Sequence, residues 1–344
     1  GGTAGNINII GDIAINQYLL GAKQYHISPP VDNDTLGALQ AYPTSDNDFY
    51  RWREKTSMWI ELNTPIGGTG SQYDPPGDDL REGFGYHVLY NLSSGTPVTK
   101  TYTGDLIFTD VTPSPVTYSP ATADPNWLGA NLVGNPYPCA IDWDQGNWGK
   151  TNIYESIYVW NGLQYLSYNG STGVGSLTGG IIPPMQGFFI WVNSEDPHNF
   201  RIPTDARTHS SQATYKESNV GKDVLKLSLE YSEATDEAFV SFVEGATEGF
   251  DQEFDAFELP GDRLPPVPRM EEIPQLYSIV PGEMLSINAL PPSDEHTIVQ
   301  LGFEPKYETS FSISASEFET FDDGINIYLE DQKENVLINR DVKL

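Results

Sequence analysis

Ile157-Tyr158-Val159-Trp160-Asn161-Gly162-Leu163-Gln164-Tyr165-Leu166-Ser167-Tyr168 carries the fold reading. Two runs rich in aromatic and β-branched residues flank Asn161-Gly162, a pair that tolerates positive φ and signals a β-hairpin. Working outward, Trp127 to Val133 reads as a strand that ends in the turn Gly134-Asn135-Pro136-Tyr137-Pro138. Each residue before a proline there is pushed out of the helical region. Gly134 and Gly187 are expected to allow positive φ or close backbone approach. Downstream, Gly170 to Gly180 is a glycine-rich loop, and Phe188 to Val192 is an apolar strand. Upstream, Gly85 to Tyr90 and Thr99 to Thr109 read as strands, as does the second half of Asp48 to Leu62. Asn6 to Leu20 alternates apolar and polar residues around Gly11-Asp12, predicting a hairpin or two successive strands. Residues 63–83 and 112–126 are loops by their Gly, Pro, Asp and Ser content, and 32–39 allow one helical turn.

The polar run 206–221 marks a change of composition. Beyond it, seven or so short strands follow at regular spacing, the pattern of a β-sandwich. The predicted fold class is all-β, with two jelly-roll-like β-sandwich domains in tandem. The expected division is 1–208, a β-rich domain with long Gly/Pro loops, and 209–344, an acidic sandwich. Residues 1–20 are expected as a possible pairing strand.

The 344 residues hold 18 basic and 48 acidic side chains, a formal charge of −30. Residues 217–344 alone hold 28 acids against 8 bases. Such a surface repels phosphate backbones and anionic membranes, which argues against nucleic-acid partners. The chain has no apolar run of membrane-spanning length, so no membrane insertion is expected. Its one cysteine, Cys139, cannot form an intramolecular disulfide. Gly1 is not a natural start, so an N-terminus that has been processed or cut is expected, which fits a secreted chain after processing and equally a chain shortened by design.

No arrangement of residues spells an active site. The five histidines, His26, His87, His198, His209 and His296, lack zinc-site spacing. No nucleophile elbow occurs, and Gly173-Val174-Gly175 has no helix behind it to cradle phosphate. The chain is therefore expected not to be an enzyme. Asp142 and Asp144 flank Trp143, and on a strand they would share a face. As a pair they suit calcium or, less well, a glycoside hydrolase. Asp32, Asp34, Asp46 and Asp48 lie in oxygen-rich loops of the kind that bind calcium, the one cofactor candidate. Trp143, Trp148, Trp160 and Tyr165 crowd one stretch, and exposed rings there would form a platform for glycans.

A family resemblance comes from ordered motifs. Asn131-Leu132-Val133-Gly134-Asn135-Pro136-Tyr137-Pro138 is followed by Ile141-Asp142-Trp143 and Ile157 to Gly162. Ile182-Pro183-Pro184-Met185-Gln186-Gly187-Phe188-Phe189 comes next, then Glu244 to Asp251 and Asp255 to Leu259. Tyr25 to Val31, Asp236 to Ala238, Pro274 to Tyr277 and Leu301 to Phe303 fit the same order. Together they resemble the region that precedes the sorting domain in Bacteroidetes cargo proteins of type IX secretion. The resemblance implies an extracellular, cell-surface location and attaches no catalytic role to the region. The expectation is a non-catalytic structural or adhesive protein, or a filament subunit, whose partners are copies of itself or other surface proteins. The alternative is a carbohydrate-binding module of a larger secreted protein.

Overall fold

The computed structural model describes residues 13–32, 48–62, 80–90, 92–208, 223–231, 234–259, 274–292, 297–304, 310–317, 321–322 and 325–339. The chain is all-β: among the described residues the only helical segments are single 3₁₀ turns.

Six strands build the first part: β1 (Ile13–Leu20), β2 (Gln24–Ile27), β3 (Asp48–Arg53), β4 (Met58–Glu61), β5 (Tyr86–Leu89) and β6 (Pro97–Gly104). β1 and β6 form a two-stranded antiparallel ribbon, and the other four form a sheet in the order β2-β5-β3-β4. The whole of Asp48 to Glu61 is a hairpin, tightened by a 3₁₀ turn at 54–56 with Ser57 at positive φ. Only its second half is read as a strand from the sequence, but the first half alternates as well, Tyr50 and Trp52 against Arg51 and Arg53. Ribbon and sheet enclose a core of Leu19, Ile27, Val31, Phe49, Val88, Val98 and Tyr102.

The central part contains β7 (Ala130–Gly134), β8 (Ala140–Asp142), β9 (Gly149–Thr151), β10 (Ser156–Trp160), β11 (Tyr165–Asn169), β12 (Ile181–Ile182), β13 (Gly187–Trp191), β14 (Asn199–Arg201) and β15 (Arg207–Thr208). Its main sheet runs β11-β10-β13-β7. The hairpin read from Asn161-Gly162 is β10–β11, closed by the Trp160–Tyr165 pair. Asn161 Oδ1 accepts the amides of Leu163 and Gln164, and Gly162 sits at φ 99°. One face of this sheet covers a core that includes Val133, Tyr137, Trp143, Ile157, Phe188 and Ile190.

Glycines let the first sheet lie close against the second. A Cβ on Gly134 would fall 2.4 Å from the Cβ of Ser28. One on Gly85 would fall 2.6 Å from Leu132 Cγ, and one on Gly187 3.0 Å from His26 Cβ. Gly134 and Gly187 thus serve close approach; neither has positive φ.

The last part contains β16 (Val224–Tyr231), β17 (Ala234–Phe242), β18 (Ala256–Phe257), β19 (Gln275–Val280), β20 (Glu283–Leu290), β21 (Leu301–Glu304), β22 (Ser312–Ser316), β23 (Tyr328–Asp331) and β24 (Val336–Asn339). The first seven make one sheet, β21-β19-β20-β17-β16-β22, with β18 beside β20. One buried cluster joins Leu132, Tyr158, Phe189 and Trp191 to Phe239, Ala256 and Ile287, so the second face of the central sheet also supports the acidic half. Polar contacts repeat the link: the Phe257 amide donates to Tyr158 Oη (2.8 Å), and Ser286 Oγ lies 2.9 Å from Ser167 Oγ.

Candidate functional site

Three of the residues singled out in the sequence, Trp143, Asp144 and Trp148, meet at one cleft. β8 ends at Asp142, and the chain then turns. Asp142 is buried, and its Oδ1 accepts the Asp144 amide at 3.0 Å. The two carboxylates therefore do not share a strand face: one clamps the turn and the other stands exposed at its rim. Asp144 Oδ2 accepts the Tyr168 hydroxyl at 2.5 Å. Burial, reinforced by Asp144, pushes the Tyr168 hydroxyl well above its ordinary range, so it stays a donor.

The cleft, 330 Å³ in volume, is walled by Asp144, Asn147, Trp148 and Lys150. Trp143 is fully buried beneath it, with its indole N–H donated to the Glu155 carbonyl. Trp148 is half-buried and packs on Trp143, with ring centroids 4.8 Å apart. Its N–H is shared between the carbonyls of Asp142 and Gln145. Lys150 Nζ lies 2.7 Å from Glu155 Oε2 and 4.2 Å above the Trp143 ring. Most of the polar groups around the cleft thus hold the β8–β9 turn together.

Trp160 and Tyr165 lie elsewhere. Trp160 is buried between the first and central sheets, where its N–H donates to the Gln24 carbonyl. Tyr165 packs edge-on against it at 5.2 Å. The four rings therefore do not form one exposed platform. Asp32 Oδ1 accepts the Asp105 amide, tying Asp32 to the end of β6. Asp48 begins β3; its side chain, like Asp34 and Asp46, lies outside the described residues. No three of His, Cys, Asp and Glu gather as metal ligands among the described residues. No described helix is long and apolar enough to cross a membrane.

The other candidate is the ribbon. β1 pairs along its whole length with β6, from Ile13↔Gly104 to Leu20↔Pro97, and with no other described strand. Every second residue of β1 faces inward: Leu19 is buried, and Ile13 and Ile15 pack on the first core. Tyr18 and Leu20 face solvent. On β6, Val98, Lys100, Tyr102 and Gly104 point in, so the acceptor face alternates strictly. Tyr102 Oη donates to Gln17 Oε1 (2.7 Å), and Thr101 Oγ1 to Asn16 Oδ1 (2.8 Å). The buried Lys100 Nζ donates to the Thr101 carbonyl and lies 4.4 Å over the Tyr102 ring. At the exit of β1, Ala22 takes φ 59° and its amide donates to the Tyr90 carbonyl.

Several buried polar groups gave no signal in the sequence. Asp236 and Asp255 are pushed up to about 7, chiefly by burial, and burial raises Glu258 well above its usual range. Asp255 accepts the backbone amides of Ala289 and Asp251, and Asp236 accepts the Leu276 backbone amide and the Gln164 side-chain Nε2. In a chain with this many acids, only the fold distinguishes these from solvated ones. No curated protein and no solved structure matches the chain. A family model matches residues 5–343, nearly the whole chain, and the chain belongs to that family, described as a domain of unknown function (DUF8693).

Proposed function

We propose that this chain is a non-catalytic, secreted structural unit of the cell surface that assembles with copies of itself by exchanging β1. The observation that carries this reading is the ribbon: one strand partner for β1 among the described residues, an alternating acceptor face on β6, and three apolar side chains delivered into the core. A two-stranded ribbon gains little stability from its own hydrogen bonds, so β1 is held mainly by Ile13, Ile15 and Leu19. The same contacts form when a second copy supplies the strand, which makes exchange a low-cost route to assembly. The chain's charge of −30 opposes association, so assembly is expected to strengthen as salt screens it. The ordered motifs read in the sequence support a surface location by type IX secretion.

A chain that begins at Gly21 tests this. It is expected to remain unassembled by light scattering and electron microscopy under conditions in which the full chain polymerises. A peptide spanning 6–20 is expected to bind it. Assembly of the shortened chain to the same extent as the full one would sink the reading.

A further inference from the structure

His26 and His87 face each other across β2 and β5. Both are buried, with ring centroids 5.4 Å apart at an interplanar angle of 71°. Neither ring nitrogen of either residue has a hydrogen-bond partner among the described residues. The pair lies at the contact between the first sheet and the central sheet. His26 is 5.6 Å from Trp59, 5.8 Å from Tyr165, 5.9 Å from Phe189 and 6.4 Å from Trp160. His87 is 5.3 Å from Trp59 and 6.0 Å from Tyr50. Buried polar groups in native proteins are nearly always paired, so two unpaired imidazoles side by side call for an explanation.

We propose that the His26–His87 pair makes the seating of the β2-β5-β3-β4 sheet on the central sheet acid-labile. Protonation of the two imidazoles requires that sheet to lift away.

Among the described side chains packed against the pair, none carries a charge that would accept an imidazolium in place; Asp48 and Glu61 share the face of Tyr50, and their side chains lie outside the described residues. On β2 the flanking same-face residues are Gln24 and Ser28, both uncharged. β3 presents Tyr50, and β4 presents Trp59, with Glu61 at the register position opposite Tyr50. β10 presents Trp160, β11 Tyr165 and β13 Phe189, while Gln186 donates to the His26 carbonyl. Burial holds His87 down to about 3, and burial together with His87 holds His26 well below the ordinary imidazole range. The opened sheet binds protons below about pH 6.5 and the seated sheet does not. Seating is therefore complete above that range and is lost as pH falls. With two imidazoles, the opening equilibrium rises roughly a thousandfold between pH 8 and pH 5. Asp236, Asp255 and Glu258 act in the opposite sense. Their raised values strengthen the acidic half as pH falls from 7 toward 4, so the opening is confined to the first sheet.

Hydrogen exchange followed by mass spectrometry on the full chain tests this, with rates corrected for the intrinsic pH dependence. Peptides covering 24–27, 48–61 and 86–89 are expected to lose up to a thousandfold protection between pH 8 and pH 5, while 283–290 keep theirs. His26→Gln and His87→Gln are each expected to reduce the loss to about thirtyfold. Equal protection of the first sheet at both pH values overturns the proposal, as does an unchanged loss in the two variants. Should the variants fail to fold, histidine-labelled wild-type chain read by NMR decides. Rings that stay neutral in the seated form to pH 5 support the proposal, and rings that titrate near pH 6.5 with protection intact overturn it.

Discussion

Asn135→Ala is expected to remove about 3–4 kcal/mol of folding stability, read as a fall in the urea midpoint with an unchanged slope. Asn135 is fully buried in the turn that leaves β7. Its Nδ2 donates to the carbonyls of Cys139 and Pro183, both at 2.8 Å, and its Oδ1 accepts the Tyr137 amide at 3.0 Å. Alanine leaves three backbone groups without partners, each worth about 1–3 kcal/mol when buried. The turn places Tyr137, whose hydroxyl reaches the carbonyls of Thr109 and Ile202. The Asn-Pro-Tyr-Pro run is thus a knot that ties itself to three distant segments, at Thr109, Pro183 and Ile202. A loss below about 1 kcal/mol would show that solvent replaces these bonds and that the knot is not structural.

Glu54→Ala is expected to cost a similar amount, about 3–5 kcal/mol, and to loosen the segment 117–129. The Glu54 side chain is buried at the 3₁₀ turn between β3 and β4. Oε1 accepts the amides of Ser119 (2.9 Å) and Gly129 (3.1 Å), and Oε2 accepts the Thr117 hydroxyl (2.8 Å). Glu54→Gln keeps one acceptor but turns an N–H₂ toward donors, so it is expected to recover no more than half of the loss. Thermal unfolding of the three chains side by side checks the order wild type, Gln, Ala. An alanine variant as stable as wild type would mean that the carboxylate carries no structural load.

These two residues mark where the sequence stops being readable. The strands were legible because alternation and turn residues are local signals: Asn161-Gly162 announced β10–β11, and the polar–apolar rhythm of Asn6 to Leu20 announced β1 over 13–20. Partners of buried polar groups are not local. Glu54 lies in Arg-Trp-Arg-Glu-Lys, a stretch that reads as solvated, and its donors are 63 to 75 residues away. His26 and His87 match no spacing rule, because their meeting depends on the pairing of β2 with β5. The crowded aromatics fitted either a glycan platform or a core. Trp143 and Trp160 joined cores because each lies on the inner side of its turn or strand, a fact of register rather than of composition. Asp142 and Asp144 appeared to be a pair only while the strand was taken to continue past Asp142.

If β1 is an exchangeable strand, a reversible lock that ties it to β6 controls assembly. Asn16 and Thr101 face each other in the β1–β6 register, with their side-chain oxygens 2.8 Å apart. Facing residues in an antiparallel pair have Cα atoms about 4.5–5.5 Å apart, within the span of a disulfide. In a chain carrying Asn16→Cys and Thr101→Cys, the oxidised, internally bridged form is predicted to remain monomeric by electron microscopy and native mass. Reduction is predicted to restore assembly to the wild-type extent. Assembly of the bridged chain at the same rate and to the same extent as the reduced one would contradict the account.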